Sequence, residues 1–466
     1  MWVWIDYSID PLNALPPAPI LLIMTIITVI AVVLLFIYAA WKHGMNGIFF
    51  LMVAVSFGVA AYRELRGDFT DKTPMQLLSD EMINSAAGSV ELAIGLIGVM
   101  TLFLGLMSVV EAGGMLTILA KLIRPLLKRL FPEVPVNHPA MGAMIMNMSA
   151  NALGLANAAT PFGIKAMEAL DKLNPHKGTA TNSMALFLAI NTSSVTLLPT
   201  GIIALRASAG SANAAGIFVP TLFATICSTT VAIVACKFYA RFSPSPAPDP
   251  DFVPPEVSSA TEDEASYPTW VSVTAITCLV GLIPIALFAR PFVMAASPWI
   301  LPLLMVSMLG FGVARRVPVY EVFVEGARDG FQVAVKIIPY LVAILVAVGL
   351  LRGSGALEIF VSVIGPYTAS FGLPADALPM ALLRPLSGSG AYGIVASIIS
   401  DPNIGPDSYV GYLVSTLQGS TETTFYVLAV YFGAVRIKNI RHAMAGALTA
   451  DVAGIIGAVV GCQLFL

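Results

Sequence analysis

Residues 417–426 read Leu417-Gln418-Gly419-Ser420-Thr421-Glu422-Thr423-Thr424-Phe425-Tyr426. They lie inside an apolar, membrane-length segment, 408–435, and set one carboxylate, Glu422, among hydroxyls and an amide. An ionisable side chain in a membrane span costs roughly 2.5–3.5 kcal/mol on insertion scales. A chain tolerates that cost where the group lines a cavity, meets a partner or handles a solute. A second polar break, Asn191-Thr192-Ser193-Ser194-Val195-Thr196 followed by Pro199 and Thr200, interrupts the segment 182–207. The two breaks are expected to face each other at the middle of the fold.

The surrounding composition fits a membrane setting. Of 466 residues, 57% are hydrophobic and 11% charged, whereas soluble domains carry about 25% charged residues. Several runs reach the roughly 20 apolar residues that cross a bilayer. The expected fold class is an all-α polytopic membrane protein of about 10 spans, at 18–41, 45–62, 84–111, 182–207, 213–238, 269–290, 293–314, 331–351, 408–435 and 440–463. The N-terminal stretch has Asp6 and Asp10 but no basic residue. It therefore lacks the basic n-region of a signal peptide, and the first run is read as a retained span. Cys227, Cys236, Cys278 and Cys462 lie in apolar runs, and His43, His138, His176 and His442 are dispersed, so no metal site is expected. No phosphate-cradling G-x-x-x-x-G-K-[ST] loop or other cofactor motif occurs. Nothing in the charge distribution points to nucleic acid.

Two further apolar stretches are broken by small polar residues. Residues 139–163 contain Asn147, Asn151, Gly154, Asn157, Thr160 and Pro161; residues 375–400 contain Pro379, Arg384, Pro385, Ser387, Gly388, Ser389 and Gly390. Broken backbone at membrane depth survives only where protein or water satisfies it, so both are read as re-entrant hairpins. Each is preceded by an interfacial stretch. Residues 114–131 carry Lys121, Arg124, Lys128 and Arg129 among leucines at helical spacing, with a kink expected at Pro125; 354–370 is the less charged counterpart. Residues 242–268 form an acidic, Pro- and Ser-rich linker.

Basic residues favour the cytoplasmic side. Placing Lys42, the cluster Lys121–Arg129, Lys165, Lys172, Lys177, Lys237, Arg241, Arg315, Arg316, Arg328, Arg436, Lys438 and Arg441 there leaves mainly Arg63, Arg66 and Lys72, mixed with Glu64, Asp68 and Asp71, and Arg206, Arg290 and Arg352 outside. The linker is then cytoplasmic and both termini periplasmic. The halves can be superposed: 84–111 on 331–351, Gly113-Gly114 on Gly353-Ser354-Gly355, hairpin on hairpin, and Asn191–Ser194 on Gln418–Thr421. With this orientation the repeats are inverted, and paired interrupted helices in inverted repeats point to a solute site at the midplane.

The stretches His138–Gly142, Asn151–Glu168 and Asn191–Thr200 resemble the spore maturation protein A family. Tyr320–Ala327, Arg384–Gly390 and Gln418–Gly433 resemble the spore maturation protein B family. Both halves are similar to the nucleoside-recognition, or gate, domain shared more distantly with concentrative nucleoside transporters and ferrous-iron transporters. The resemblance implies a natural fusion: an extra N-terminal span at 1–44, an A-like gate repeat at 45–241, the linker at 242–268, and a B-like gate repeat at 269–466. It implies no particular solute. Neither polar break carries a cysteine, and no GTPase accompanies them, which weakens an iron reading.

The expected function is an inner-membrane secondary transporter or solute-permeation protein acting on a small molecule or ion. The alternatives are a non-transporting scaffold in spore or envelope maturation and, disfavoured for want of any nucleophile–base pair, a membrane-embedded enzyme. The lipid bilayer is the expected partner; a homo-oligomer is left open. Glu422 is the expected carrier of a proton or cation, or a partner for a cationic solute, and Arg384 either its ion-pair partner or a contact for an anionic solute. Asn147, Asn151 and Asn157 are expected to line the first hairpin, and Ser387 and Ser389 the second. Asn191, Thr192, Ser193 and Thr196 are expected to face Gln418, Ser420, Thr421 and Thr423. Asp451 and Lys336 lie in spans without polar neighbours in sequence, and each is expected to meet a structural partner or face a cavity within the protein.

Overall fold

The computed structural model of the chain describes residues 49–67, 71–154, 156–193, 196–197, 199–246, 267–288 and 290–466. The expected span at 18–41 and the linker from 247 to 266 lie outside the described residues. Among the described residues the regular structure is helical, apart from one isolated bridge between Thr179 and Asn439. The first half holds α1 (49–66), α2 (Pro74–Ala112), α3 (Met115–Leu130), α4 (Pro139–Ala152), α5 (Ala156–Lys172), α6 (Asn182–Ser193), α7 (Thr200–Ser208) and α8 (Phe218–Tyr239). The second holds α9 (Thr269–Phe288), α10 (Arg290–Ala314), α11 (Val319–Gly353), α12 (Ala356–Ala369), α13 (Leu378–Leu383), α14 (Gly388–Ser400), α15 (Tyr409–Ser420), α16 (Thr424–Ala434) and α17 (Ala443–Phe465).

By contacts the chain forms two compact units. One runs up to Met82 and includes Ala347–Ala375; the other comprises Ile83–Val346 and Asp376–Leu466. In the smaller unit, Arg63 Nη1 donates to the Ser354 carbonyl at 3.0 Å. In both halves a left-handed glycine precedes the interfacial helix: Gly114 with φ 83° before α3 and Gly355 with φ 80° before α12. Glycine adopts that conformation without a Cβ clash, so the chain can turn sharply there. α3 buries Leu116, Ala120 and Leu127, and it continues through Pro125 instead of ending there.

Among the described residues two helical segments, Ala214–Phe242 and Ala443–Phe465, are each long and apolar enough to cross a membrane, and the bent pair Pro74–Gly95 and Met100–Ala112 makes a third if it is one span. The second consists of α17 and the first contains α8, and they pack along a seam of small residues. A Cβ on Gly457 would stand 3.0 Å from Ala224 Cα, and one on Gly461 would stand 3.2 Å from the Pro220 carbonyl oxygen; at the other end Gly446 abuts Cys236. The pairing is therefore antiparallel. Burial of apolar surface does not drive helices together in lipid, and close backbone approach through small residues takes its place. The opposite face of α17 exposes Leu448, Val452, Ile456, Val460 and Leu464, a stripe of residues spaced four apart and suited to lipid. A second glycine seam joins α11 to α2. Cβ atoms on Gly326 and Gly330 would stand 3.0 Å from the Leu104 carbonyl oxygen and 2.7 Å from Thr101 Cα.

The α8–α17 pair is the frame for the two broken segments. α6 starts at the Cys236 end, where the Cys236 thiol lies 3.9 Å from the Ala185 carbonyl. It stops where Thr225 and Thr229 donate to the Ser193 carbonyl at 3.2 and 3.3 Å. α15 comes from the other end: Thr416 meets Cys462 at 3.5 Å, and Thr421 lies against Gly454. Two short helices thus run toward each other, and their C-terminal ends meet beside the middle of the frame.

Both expected hairpins are helix–turn–helix units. The first turns at Leu153-Gly154, where Gly154 has φ 74°, and its second arm, α5, runs on to Lys172 past Pro161 and Gly163. His138 caps α4: its Nδ1 accepts from the Ala140 amide at 3.2 Å, with Pro139 at the first helical position. Burial, and then the charge of Lys172, hold the His138 imidazole below its ordinary titration range. A histidine with a depressed folded pKa stabilises the fold above its unfolded value, about 6.5, and that contribution is lost as pH falls from there through the folded pKa. Thermal unfolding of the purified full chain should therefore show a loss of stability on acidification below about pH 6.5. His138→Asn keeps a capping acceptor without titrating, and should flatten that slope.

Candidate functional site

The polar cluster forms where α6, α15 and the second hairpin converge. After Ser420 the chain leaves the helix at Thr421, which has extended backbone, and re-enters one at Thr424. Its amides and carbonyls there need partners. The Glu422 amide donates to the Thr192 carbonyl at 2.7 Å, and the Phe425 amide to the Pro385 carbonyl at 3.1 Å. The two sequence breaks therefore touch through backbone.

Arg384 supplies the cation. It follows α13 and is 5% exposed. Its Nη2 donates to the Thr421 carbonyl at the C-terminal end of α15, where a positive charge meets the negative end of the helix dipole. Its Nη1 donates to Thr423 Oγ1 at 3.2 Å. Glu422 is a looser partner: its Oε2 is 3.6 Å from Nη2, and its side chain is 47% exposed against 6% for Arg384. Ser387 is occupied in capping α14, accepting from the Gly390 amide at 3.0 Å.

The side chains do not all face across the break. Thr192 and Ser193 donate back to the carbonyls of Ala189 and Ile190, and Ser420 to that of Leu417. These hydroxyls satisfy the last turns of their own helices, which corrects the expectation that they confront one another. Thr196 lies half-buried in the first break, and Gln418 is half-buried with its Oε1 unpartnered. The Asn157 and Lys336 side chains and all of Ser194 lie outside the described residues.

Asn147, Asn151 and Asn191 form a separate network with a residue that the sequence did not single out, Tyr431 of α16. Asn151 Nδ2 donates to Asn191 Oδ1 at 2.9 Å, and the Tyr431 hydroxyl donates to the same oxygen at 3.3 Å. Asn147 Nδ2 donates to that hydroxyl at 3.1 Å and to the Ala159 carbonyl at 2.7 Å. Gly163 leaves the space that the phenol fills. The network locks the first hairpin to α6 and to the second half of the chain.

Asp451 departs furthest from its sequence reading. It is 3% exposed, and its Oδ2 accepts from Thr424 Oγ1 at 2.7 Å, at the first turn of α16. The polar neighbours it lacks in sequence come from another helix. Arg206, placed outside with the surface charges, is fully buried. Its guanidinium pairs with Asp407 at 3.0 Å, donates to the Pro406 and Asn213 carbonyls at 2.6 and 3.2 Å, and lies 4.0 Å from the centre of the Tyr412 ring. Beside the second hairpin is a cavity of about 230 Å³ lined by Met100, Gly201, Leu341, Gly388, Ser389 and Tyr392. Both halves contribute to it, and the first turns of α7 and α14 border it. Among the described residues no three His, Cys, Asp or Glu side chains gather as metal ligands would.

The nucleoside-recognition gate family model matches residues 93–209 and 334–438. Spore maturation protein B of Bacillus subtilis (strain 168) is 44% identical over 160 residues, covering 34% of this chain and 89% of that protein. Spore maturation protein A of the same organism is 41% identical over 165 residues, 35% of this chain and 84% of that protein. Inner membrane protein YjiG of Escherichia coli (strain K12) is 33% identical over 81 residues, 17% of this chain and 53% of that protein.

Proposed function

This chain belongs to the nucleoside-recognition gate family, and from that premise we propose that it is a multi-pass inner-membrane transporter or solute-permeation protein. We read its two halves as inverted gate repeats, with the solute site where the broken segments meet. One observation carries the reading: α6 and α15 approach from opposite ends of the α8–α17 frame, and their C-terminal ends meet with Arg384 and Glu422 at the junction. A pair of interrupted helices meeting at mid-depth exposes backbone carbonyls and amides that a bound solute or ion can use. The cavity beside Ser389 and Tyr392, bordered by two helix first turns, gives a solute of modest size a place next to that junction. The scheme carries over the cytoplasmic linker and the site roles of Glu422, Arg384, Gln418 and Ser389. The names of the relatives favour a role in spore or envelope maturation, with the solute left open.

Reconstitution tests it. The full chain in proteoliposomes should take up at least one solute class among nucleosides, amino acids, peptides and ions. The same solute should raise the thermal stability of the detergent-purified protein, because a ligand that binds the folded state stabilises it. A folded protein that neither binds nor moves any of these classes would instead be a non-transporting scaffold.

A further inference from the structure

We propose that Asp451 is a proton-binding site of this centre, taking one proton onto its Oδ1 and so balancing the charge that Arg384 alone leaves uncompensated. The proposal rests on the solute-site reading only for the use to which the proton is put.

Two carboxylates, Glu422 and Asp451, share the field of one buried guanidinium, Arg384. The helix ends at the junction offset each other, since α6 and α15 bring C-termini while α7 and α16 bring N-termini. With both acids ionised the cluster holds one excess negative charge, in a region where an uncompensated charge is costly. The two acids are not equivalent. Glu422 is half-exposed and its pairing at 3.6 Å is loose. Asp451 is 3% exposed: its Oδ2 has the Thr424 hydroxyl, whereas its Oδ1 is buried with no hydrogen-bond partner among the described residues. A buried acceptor oxygen without a donor is rare in a settled structure and calls for something that fills it. A proton on Oδ1 removes the excess charge and lowers the cost of leaving that oxygen unpartnered, since a neutral carboxyl is far cheaper to bury than a carboxylate, while Thr424 keeps its bond to Oδ2 and Arg384 is left to Glu422 alone.

The elements packed against α17 are α8, α6, α15, α16 and α9. Apart from Arg384 and Glu422, the charged side chain they carry is Lys237, exposed near the end of α8. The other titratable groups on these elements and on α17 are thiols and phenols: Cys227, Cys236 and Tyr239 on α8, Cys278 on α9, Tyr409 and Tyr412 on α15, Tyr426 and Tyr431 on α16, and Cys462 on α17. The balance around Asp451 is therefore set by Arg384 and Glu422.

The test needs no solute. Infrared difference spectra of the purified full chain, titrated between acid and alkaline pH, report the carbonyl stretch of a protonated carboxylic acid. A titrating band should be present in the unaltered protein, lost in Asp451→Asn, and in Glu422→Gln moved to titrate at lower pH, because the excess negative charge is gone there. In Asp451→Glu, which keeps the carboxyl, the band should persist at a shifted frequency; this variant also decides the matter if Asp451→Asn does not fold. A band retained unchanged in Asp451→Asn or unshifted in Asp451→Glu, a titration midpoint unmoved or raised in Glu422→Gln, or no titrating band at all would overturn the assignment. Because no uptake is measured, failure of the transporter reading and failure of this one are separate results.

Discussion

Asp407→Asn should destabilise the full chain by about 3 kcal/mol, although Asp407 lies outside the expected solute site. Arg206 is fully buried and takes its counter-charge from Asp407. Removing that charge while leaving the guanidinium in place strands a buried cation, and the loss of one partner from such a pair typically costs about 3–5 kcal/mol. The lower end applies here. The Asp407 side chain is 37% exposed, and Arg206 keeps the Pro406 and Asn213 carbonyls and the face of Tyr412. The pair joins the end of α7, in the first half, to the turn before α15, in the second. Its loss should therefore loosen the approach of the two broken segments. Thermal unfolding in detergent measures the effect. The double change Asp407→Asn with Arg206→Gln removes the stranded charge and should recover part of the stability. A single variant as stable as the unaltered chain would show that the carbonyls and the aromatic ring suffice.

The parts legible in the sequence were those written as local pattern. The breaks at 191–196 and 418–423 showed as hydroxyls and amides inside apolar runs, and the structure interrupts helices at both. The two glycine turns before the interfacial helices were legible as matched small-residue steps. Arg384 was legible as the partner of Glu422 because few charges lie in the membrane-length segments. What was not legible depends on register between distant helices. Asp451 looks isolated along α17, since its partner Thr424 lies on another helix. Tyr431 reads as one more aromatic in an apolar run until Asn147 and Asn191 meet its hydroxyl. Arg206 reads as an end-of-span charge, and only the Pro406–Asp407 turn coming over it makes it a buried one. The directions of Thr192, Ser193 and Ser420 were equally hidden, because a hydroxyl near a helix end can serve its own backbone as well as a ligand.

The largest effect at the site itself is expected from Arg384, not from Glu422. Arg384→Gln removes the donor to the Thr421 carbonyl at the open end of α15 and the one cation set between two carboxylates. Above the pH at which Asp451 gives up its proton, that acid, 3% exposed, would then face no compensating charge, and the loss expected in that range is about 3–5 kcal/mol. Glu422→Gln is expected to cost under about 1 kcal/mol, in the range of an exposed ion pair. Its side chain is half-exposed, and Arg384 keeps the Thr421 carbonyl, Thr423 Oγ1 and the field of Asp451 when that charge is gone. This asymmetry makes Glu422→Gln the informative transport variant: it changes the charge presented to a solute while leaving the fold standing. If Glu422 contacts a cationic solute, uptake should fall at least tenfold, about 1.4 kcal/mol of lost interaction, while thermal stability stays within a few degrees. Combining Arg384→Gln with Asp451→Asn removes the stranded acid and should regain stability relative to Arg384→Gln alone. If the double variant is no more stable than the single one, Asp451 does not depend on Arg384. If Glu422→Gln proves as destabilising as Arg384→Gln, the loose 3.6 Å pair is a structural bond and Glu422 is not the solute's contact.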